Sequence, residues 1–224
     1  NIDALLLTHL HSDHVVDLYQ LIISSWHSYR IKPWKIYGPK GTKKFVKKIM
    51  DAWSDERKQR ISYEFRSSIK AFDIKVTEFN DVGSISFRDI KVKYFEVDHK
   101  PVKYAYGFSF YNKSKKLTIS GDTRPCENLI KYAQNSDVLL HEVFIEGEIK
   151  EIIKMRTKKT LHNVQKYHTS SSQVGKVAYL SKCKKLVLTH FVPTKFNKPR
   201  LRRIVRKDFG KDPIIGQDLQ RISI

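Results

Sequence analysis

The run Ile2-Asp-Ala-Leu-Leu-Leu-Thr8 passes directly into His9-Leu-His11-Ser-Asp13-His14, and that junction decides the fold. The first seven residues are nearly all apolar, as expected of a strand covered on both faces. The next six hold four groups able to ligate a metal: His9, His11, Asp13 and His14. A turn at the C-terminal end of a strand aims side chains i, i+2, i+4 and i+5 into one crevice, where open α/β sheets place their ligands. Crowding three imidazoles and a carboxylate beside a buried strand costs desolvation unless a cation satisfies them. The set suits zinc, with manganese and iron as competitors.

The arrangement recurs downstream. The run KVKYFEV ends at Asp98-His99, KLTIS ends at Gly121-Asp122, and KLVLT ends at His190. Separate strand ends thus deliver His9, His11, Asp13, His14, His99, Asp122 and His190 to one sheet edge. So many nitrogen and oxygen ligands exceed the needs of one tetrahedral ion and fit two divalent ions bridged by a carboxylate.

Between these ends, element types alternate. Helices are expected at Val15–Ser25, from an N-cap at Thr42 to Trp53, at Asp55–Phe65, Pro125–Gln134 and Ser171–Ser181, with a charged helix running through Lys158. Strands are expected at Ile2–Thr8, Trp34–Tyr37, Ile74–Phe79, Ile85–Phe87, Ile90–Val97, Tyr106–Tyr111, Lys116–Ser120, Val138–His141 and Lys185–Thr189. With no Pro- or Gly-rich linker and no repeat, residues 1–224 read as a single mixed α/β domain.

At 224 residues and 40% hydrophobic content the chain can bury an ordinary core, which excludes disordered and fibrous classes. No apolar run approaches the length of a membrane span, so no membrane partner is expected. Cys126 and Cys183 are too few and too far apart for a disulfide framework or a Cys-based zinc site. They read as thiols in a reducing, cytoplasmic compartment, although the start at Asn1 leaves a removed leader open. Lys and Arg total 43 against 23 Asp and Glu, a net charge of +20. The excess gathers at Lys40–Lys48, Lys154–Lys159, Lys182–Lys185 and Lys195–Lys207. Such a field favours an anionic ester substrate or nucleic acid, while a lysine-rich solvated surface accounts for it equally well. Leu201, Ile204 and Val205 fall at helical spacing, giving the tail an amphipathic helix with a basic outer face.

Taken together, His9-x-His11-x-Asp13-His14, His99, Asp122 and His190 resemble the metallo-β-lactamase superfamily of binuclear metallohydrolases. Gly121-Asp122-Thr123, Leu140-His141-Glu142, His168-Thr169-Ser170 and Leu188-Thr189-His190-Phe191 resemble its ribonuclease Z and arylsulfatase-like branch. The resemblance implies a metallo-β-lactamase-like αββα sandwich binding two divalent metals, zinc above all. By it, His9, His11 and His99 hold one metal, Asp13, His14 and His190 the other, and Asp122 bridges them. Members place several strands before the first motif, so this chain is expected to be N-terminally truncated. Ribonuclease Z usually carries an arm that grips the tRNA elbow, for which the 23 residues from His99 to Asp122 leave no room.

The reaction expected is hydrolysis by a metal-bridging hydroxide, with phosphodiesters as substrates. Asp13 would hold that hydroxide as well as a metal, and His168 would protonate the leaving oxygen or clamp an anionic group. An arylsulfatase-like or lactone hydrolase is the alternative, and a nucleic-acid-binding module with a structural metal is a third reading. A homodimer is compatible with all three. His141 and Glu142 close a strand and read either as orienting a ligand imidazole or as a satisfied core pair. His27 reads as a packed or surface residue, His162 as solvent-exposed, and Gly38-Pro39-Lys40-Gly41 as a tight turn into a helix, since it lacks the spacing of a phosphate loop.

Overall fold

Leu5–Leu6 (β1) is the part of the opening apolar run that pairs as a strand in the computed structural model, which describes residues 2–148 and 157–224. The strand is shorter than the run from Ile2 to Thr8 because its neighbour pairs with it only at Ile36 and Tyr37. One further bond, from Leu7 N to Tyr37 O, extends the pairing. The chain's contacts divide it into two units, Asn1–Asn80 and Asp81–Ile224.

In the first unit β1 is followed by the short α1 (Ser12–Val15), α2 (Leu18–His27), β2 (Trp34–Gly38), α3 (Thr42–Ala52), α4 (Ser54–Glu64) and β3 (Ile74–Glu78). The three strands form a parallel sheet in the order β1-β2-β3. Strand β2 alternates buried Trp34 and Ile36 with exposed Lys35, the period of a half-buried strand. Helix α2 is buried along two adjacent stripes. Leu18 and Ile22 join Leu7, Val15, Trp34, Ile36 and Val46 in one cluster, whereas Tyr19, Ile23 and Trp26 meet Ala71 in another.

The entry to α3 differs from the sequence expectation. Gly41, at φ +105°, is the N-cap, and Thr42 is the first helical residue. The left-handed backbone needed there suits glycine, and the Thr42 hydroxyl donates instead to Pro39 O. Glu78 completes the cap: its Oε1 accepts from Gly41 N at 2.9 Å and Lys43 N at 2.8 Å. Gly38–Gly41 is therefore a turn into a helix whose exposed N–H groups meet a carboxylate.

The second unit contains β4 (Gly83–Phe87), β5 (Ile90–Glu96), β6 (Tyr106–Asn112), β7 (Lys115–Ile119), α5 (Glu127–Tyr132), β8 (Val138–Phe144), α6 (Lys158–Gln165), α7 (Ser171–Leu180), β9 (Lys185–Val192), α8 (Lys198–Phe209) and β10 (Ile214–Ile215). Its seven strands lie in the order β10-β9-β8-β7-β6-β5-β4. The pairings from β4 to β7 are antiparallel and those from β7 to β10 parallel. The interval from His99 to Asp122 holds only β6, a tight turn and β7, so no arm protrudes there. Strand β8 continues past His141 to Phe144, longer than expected, because β9 keeps pairing with it across an irregularity at Glu142/Val143. Most of the charged helix expected up to Lys158, with Lys154 and Arg156 of the Lys154–Lys159 cluster, falls on 149–156, outside the described residues, while Lys158 and Lys159 open α6.

Buried side chains of α5, α7 and α8 join those of β8 and β9 in one cluster that includes Leu129, Leu139, Val174, Leu186, Leu188, Leu201 and Val205. Helices α7 and α8 approach closely at Gly175, where a Cβ would lie 2.4 Å from Val205 O. No helix among the described residues is long and apolar enough to cross a membrane.

Candidate metal centre

In the first unit the turn after β1 gathers the imidazoles. The His9 ring packs against His11 at 4.7 Å and His14 at 4.1 Å between centroids. His14 Nε2 lies 3.4 Å from Asp13 Oδ2. The four-residue α1 produces this geometry, since His14 N donates to His11 O and Val16 N to Ser12 O, curling the motif back on itself. His9 is fully buried, with the Thr8 hydroxyl 3.1 Å from its Nδ1. Asp13 is exposed, and His11 and His14 are half-buried.

In the second unit, ligand atoms of Asp122, His168 and His190 lie within 4.8 Å of one another. Each comes from a different segment. Asp122 follows β7 after Gly121, whose φ of +62° turns the chain sharply. His190 is the extra residue in the β8–β9 register, because Glu142 pairs with Thr189 and Val143 with Phe191. Its φ of +46° is uncommon for a non-glycine residue. Such a bulge re-aims a side chain out of the strand's alternation, and here it brings His190 Nε2 to 3.4 Å from Asp122 Oδ2. His99 is buried, and its Nδ1 lies 2.8 Å from Tyr167 O. A carbonyl only accepts, so Nδ1–H donates and Nε2 becomes the lone-pair nitrogen, the tautomer a metal ligand needs.

Glu142 organises this half. Its Oε1 accepts from Thr169 N at 2.9 Å and Thr123 N at 3.2 Å and lies 3.1 Å from His168 Nδ1. One carboxylate therefore ties the Asp122-Thr123 turn to the His168-Thr169 turn and fixes the His168 ring. Glu142 is almost wholly buried, and its Oε2 has no hydrogen-bond partner among the described residues. Burial, aided by the nearby Asp122 charge, pushes its carboxyl well above the usual range. His141 is likewise buried, its Nδ1 2.7 Å from Glu142 O, and burial lowers its pKa to about 4, so the ring is neutral at physiological pH. Of the two readings of this pair, orientation of a site imidazole describes Glu142, although the imidazole is His168.

The Thr169 hydroxyl donates to Thr123 O at 2.6 Å, but the sequence did not reveal the roles of the Tyr167 carbonyl and the Thr123 and Thr169 amides, which are backbone groups. Nor did it reveal the clamp in which Asp98 receives Arg124 through two oxygens, at 2.8 and 3.1 Å, while Arg124 N donates to Asp98 O. That pair joins the turn carrying His99 to the one carrying Asp122. The remaining histidines behave as expected: His27 packs on Trp26 at 5.3 Å, and His162 is exposed. Cys126 and Cys183 are both free.

The donor sets fit divalent metals. Each half clusters imidazoles with a carboxylate, a combination suited to zinc, manganese or iron.

The family model described as "Anti-Pycsar protein Apyc1" matches residues 1–182. A ribonuclease Z of Mycolicibacterium gilvum is 32% identical over 229 aligned positions, covering all of this chain and 78% of that protein. A ribonuclease Z of Mycobacterium bovis is 29% identical over all of this chain and 80% of its own length. Among solved structures, the metallo-β-lactamase fold protein YhfI of Bacillus subtilis superposes with a TM-score of 0.68 at 18% identity, covering 96% of this chain and 75% of that one. The short form of human tRNase Z superposes with a TM-score of 0.60 at 23% identity, over 85% of this chain and 73% of that one. These superpositions establish the α/β fold of the metallo-β-lactamase proteins, as the strand-end motifs implied. The chain therefore belongs to the family described by the Apyc1 model, among the ribonuclease Z-like, metal-dependent hydrolases of metallo-β-lactamase fold.

Proposed function

We propose that this chain hydrolyses phosphodiester bonds with two divalent metals, held by the ligand set that the family resemblance implies. The observation that carries the reading is the Glu142 hub, in which a buried carboxylate holds His168 Nδ1 while Asp122 and His190 converge beside the same ring. In the ligand assignment, His9, His11 and His99 hold one ion and Asp13, His14 and His190 the other, with Asp122 shared. Divalent ions bound there would polarise the ester and acidify a water near neutral pH.

The chain's own groups supply the rest. Asp13, exposed in its turn, accepts a hydrogen bond from the attacking water and orients it. His168, locked at Nδ1 by Glu142, delivers a proton from Nε2 to the leaving oxygen, so its ring is pre-positioned. The net charge of +20 favours an anionic ester. The relatives named ribonuclease Z support a nucleic-acid substrate, while the armless interval from His99 to Asp122 favours a small or flexible diester over a folded tRNA. Two free cysteines support a reducing, cytoplasmic setting.

The test is a hydrolysis panel with bis-p-nitrophenyl phosphate, p-nitrophenyl sulfate and a lactone, alongside metal analysis. The expected result is turnover of the diester alone, lost on chelation and restored by zinc or manganese, with about two metal equivalents per chain. Preference for the sulfate or the lactone would move the chain to the arylsulfatase-like or lactonase reading.

A further inference from the structure

Helix α8 commits its apolar stripe to the core, with Leu201, Val205 and Phe209 buried. The opposite face carries Arg202, Arg203, Arg206 and Lys207, all exposed. With Pro199, Gly210 and Asp212 these cations line a surface recess of about 540 Å³. Asp212 is the one carboxylate there, and it lies 3.5 Å from Arg206. Arg202, Arg203 and Lys207 have no ion-pair partner among the described residues. Arg202 with Arg206, and Arg203 with Lys207, are like charges at i,i+4, an arrangement that destabilises a helix. Arg206 and Lys207 lie in the last turn and favour the helix dipole, but Arg202 and Arg203 are a turn further back, where that benefit has faded. The excess of positive charge on this face is thus unexplained by the fold.

We propose that this face of α8 is a docking surface for a nucleic-acid backbone, recognised through its phosphates rather than its bases. Three of the four cations are arginines, whose planar forks match phosphate oxygens in pairs. From Pro199 to Gly210 the recess follows about 16 Å of helix at roughly 1.5 Å per residue. That length accommodates about five steps of a strand at roughly 3.4 Å each. A lipid surface fits less well. A helix lying on a membrane inserts its apolar face, and the apolar face of α8 is already packed inside the protein. The proposal does not rest on the hydrolase reading, because binding is measured without turnover.

The probe is fluorescently labelled single-stranded oligouridylate RNA, titrated by polarisation across a salt series against full-length, metal-loaded protein carrying Asp13→Ala to prevent cleavage. Two variants in that background each remove four positive charges: Arg202, Arg203, Arg206 and Lys207→Gln on α8, and Lys43, Lys44, Lys47 and Lys48→Gln on α3. The α8 variant should bind at least about 10-fold more weakly, and its log K against log salt slope should flatten by about 0.7 for each lost phosphate contact. The α3 variant should retain both affinity and slope. Equal losses in the two variants would show a diffuse field and overturn the proposal. So would competition by polyglutamate as effective as by RNA, or binding to phosphatidylserine vesicles without binding to RNA. With Asp13 restored, the α8 variant should turn over bis-p-nitrophenyl phosphate at the unmodified rate, which reports an intact fold. If no form turns over that diester, the hydrolase reading fails while the docking surface stands or falls on the titration.

Discussion

The metal-capable groups of the first unit sit in one six-residue turn, whereas those of the second come from four chain segments. The first set needs little support. A short helical curl brings His9, His11 and His14 ring to ring, and Asp13 stays exposed. Of the second set His99, Asp122 and His168 are buried and His190 half-buried, and a buried polar cluster holds its geometry only if each group is tied down. Tyr167 O fixes His99, Glu142 fixes His168 and two backbone turns, the Asp98–Arg124 clamp joins two loops, and a β-bulge turns His190. A contiguous motif is thus built by local chemistry, and a dispersed one by tertiary hydrogen bonds. Disturbing them should have different consequences.

The largest effect is expected at Asp122. As the proposed shared ligand, Asp122→Ala should remove both metals and lower diester turnover by about 10³-fold or more, given several kcal/mol of lost metal assistance. Loss of only one ion, measured by elemental analysis, would assign the bridge to another residue. Next comes His168→Ala, expected to lower kcat about 10²–10⁴-fold with metal content intact. A diester with a good leaving group should suffer less, and equal losses for good and poor leaving groups would identify an anion clamp.

Glu142 against His11 tests the comparison most directly. Glu142→Ala orphans two buried backbone N–H groups and the His168 ring, at roughly 1–3 kcal/mol for each buried group left without a partner. The apo protein should therefore melt several degrees lower, at about 2–4 °C per kcal/mol for a chain of this size. Glu142→Gln should lower turnover about 10–100-fold through misorientation of His168. His11→Ala should reduce metal content but leave the apo Tm within about 1 °C, as a half-buried residue of a local turn should. Comparable apo Tm losses would erase the distinction between the two halves.

The smallest effect concerns the thiols. Burial raises the Cys183 thiol to about 12, so it stays protonated and unreactive at any pH below that. Half-buried Cys126 should titrate with Ellman's reagent in the native protein at pH 8, and Cys183 only after unfolding. Native reaction of both thiols would mean that the helix-covered core of the second unit opens readily.

The legibility of each feature follows its range. Leu5–Leu6 and the His9–His14 motif announced themselves because strand, turn and ligands are adjacent in sequence. The strand ends before Asp98-His99, Gly121-Asp122 and His190 were legible too, as apolar runs closing on a ligand type. The sequence places the cap of α3 one residue late, since Thr42 is a good N-cap by type and only Glu78, 36 residues away from it, shows that Gly41 takes that position. The apolar pattern ends β8 at His141, whereas a bulge lets an irregular pair of strands continue past it to Phe144.

The sequence by itself determined which residue types stand at the strand ends, and with them the candidate ligands, the α/β class and the family resemblance. Only the tertiary structure decided that Glu142 is the hub holding His168, that His190 leaves its strand in a bulge, and that the cations of α8 share one recess. Ligand identity is a property of single residues and short spacings. Orientation depends on hydrogen bonds between segments about twenty or more residues apart, which no local pattern encodes.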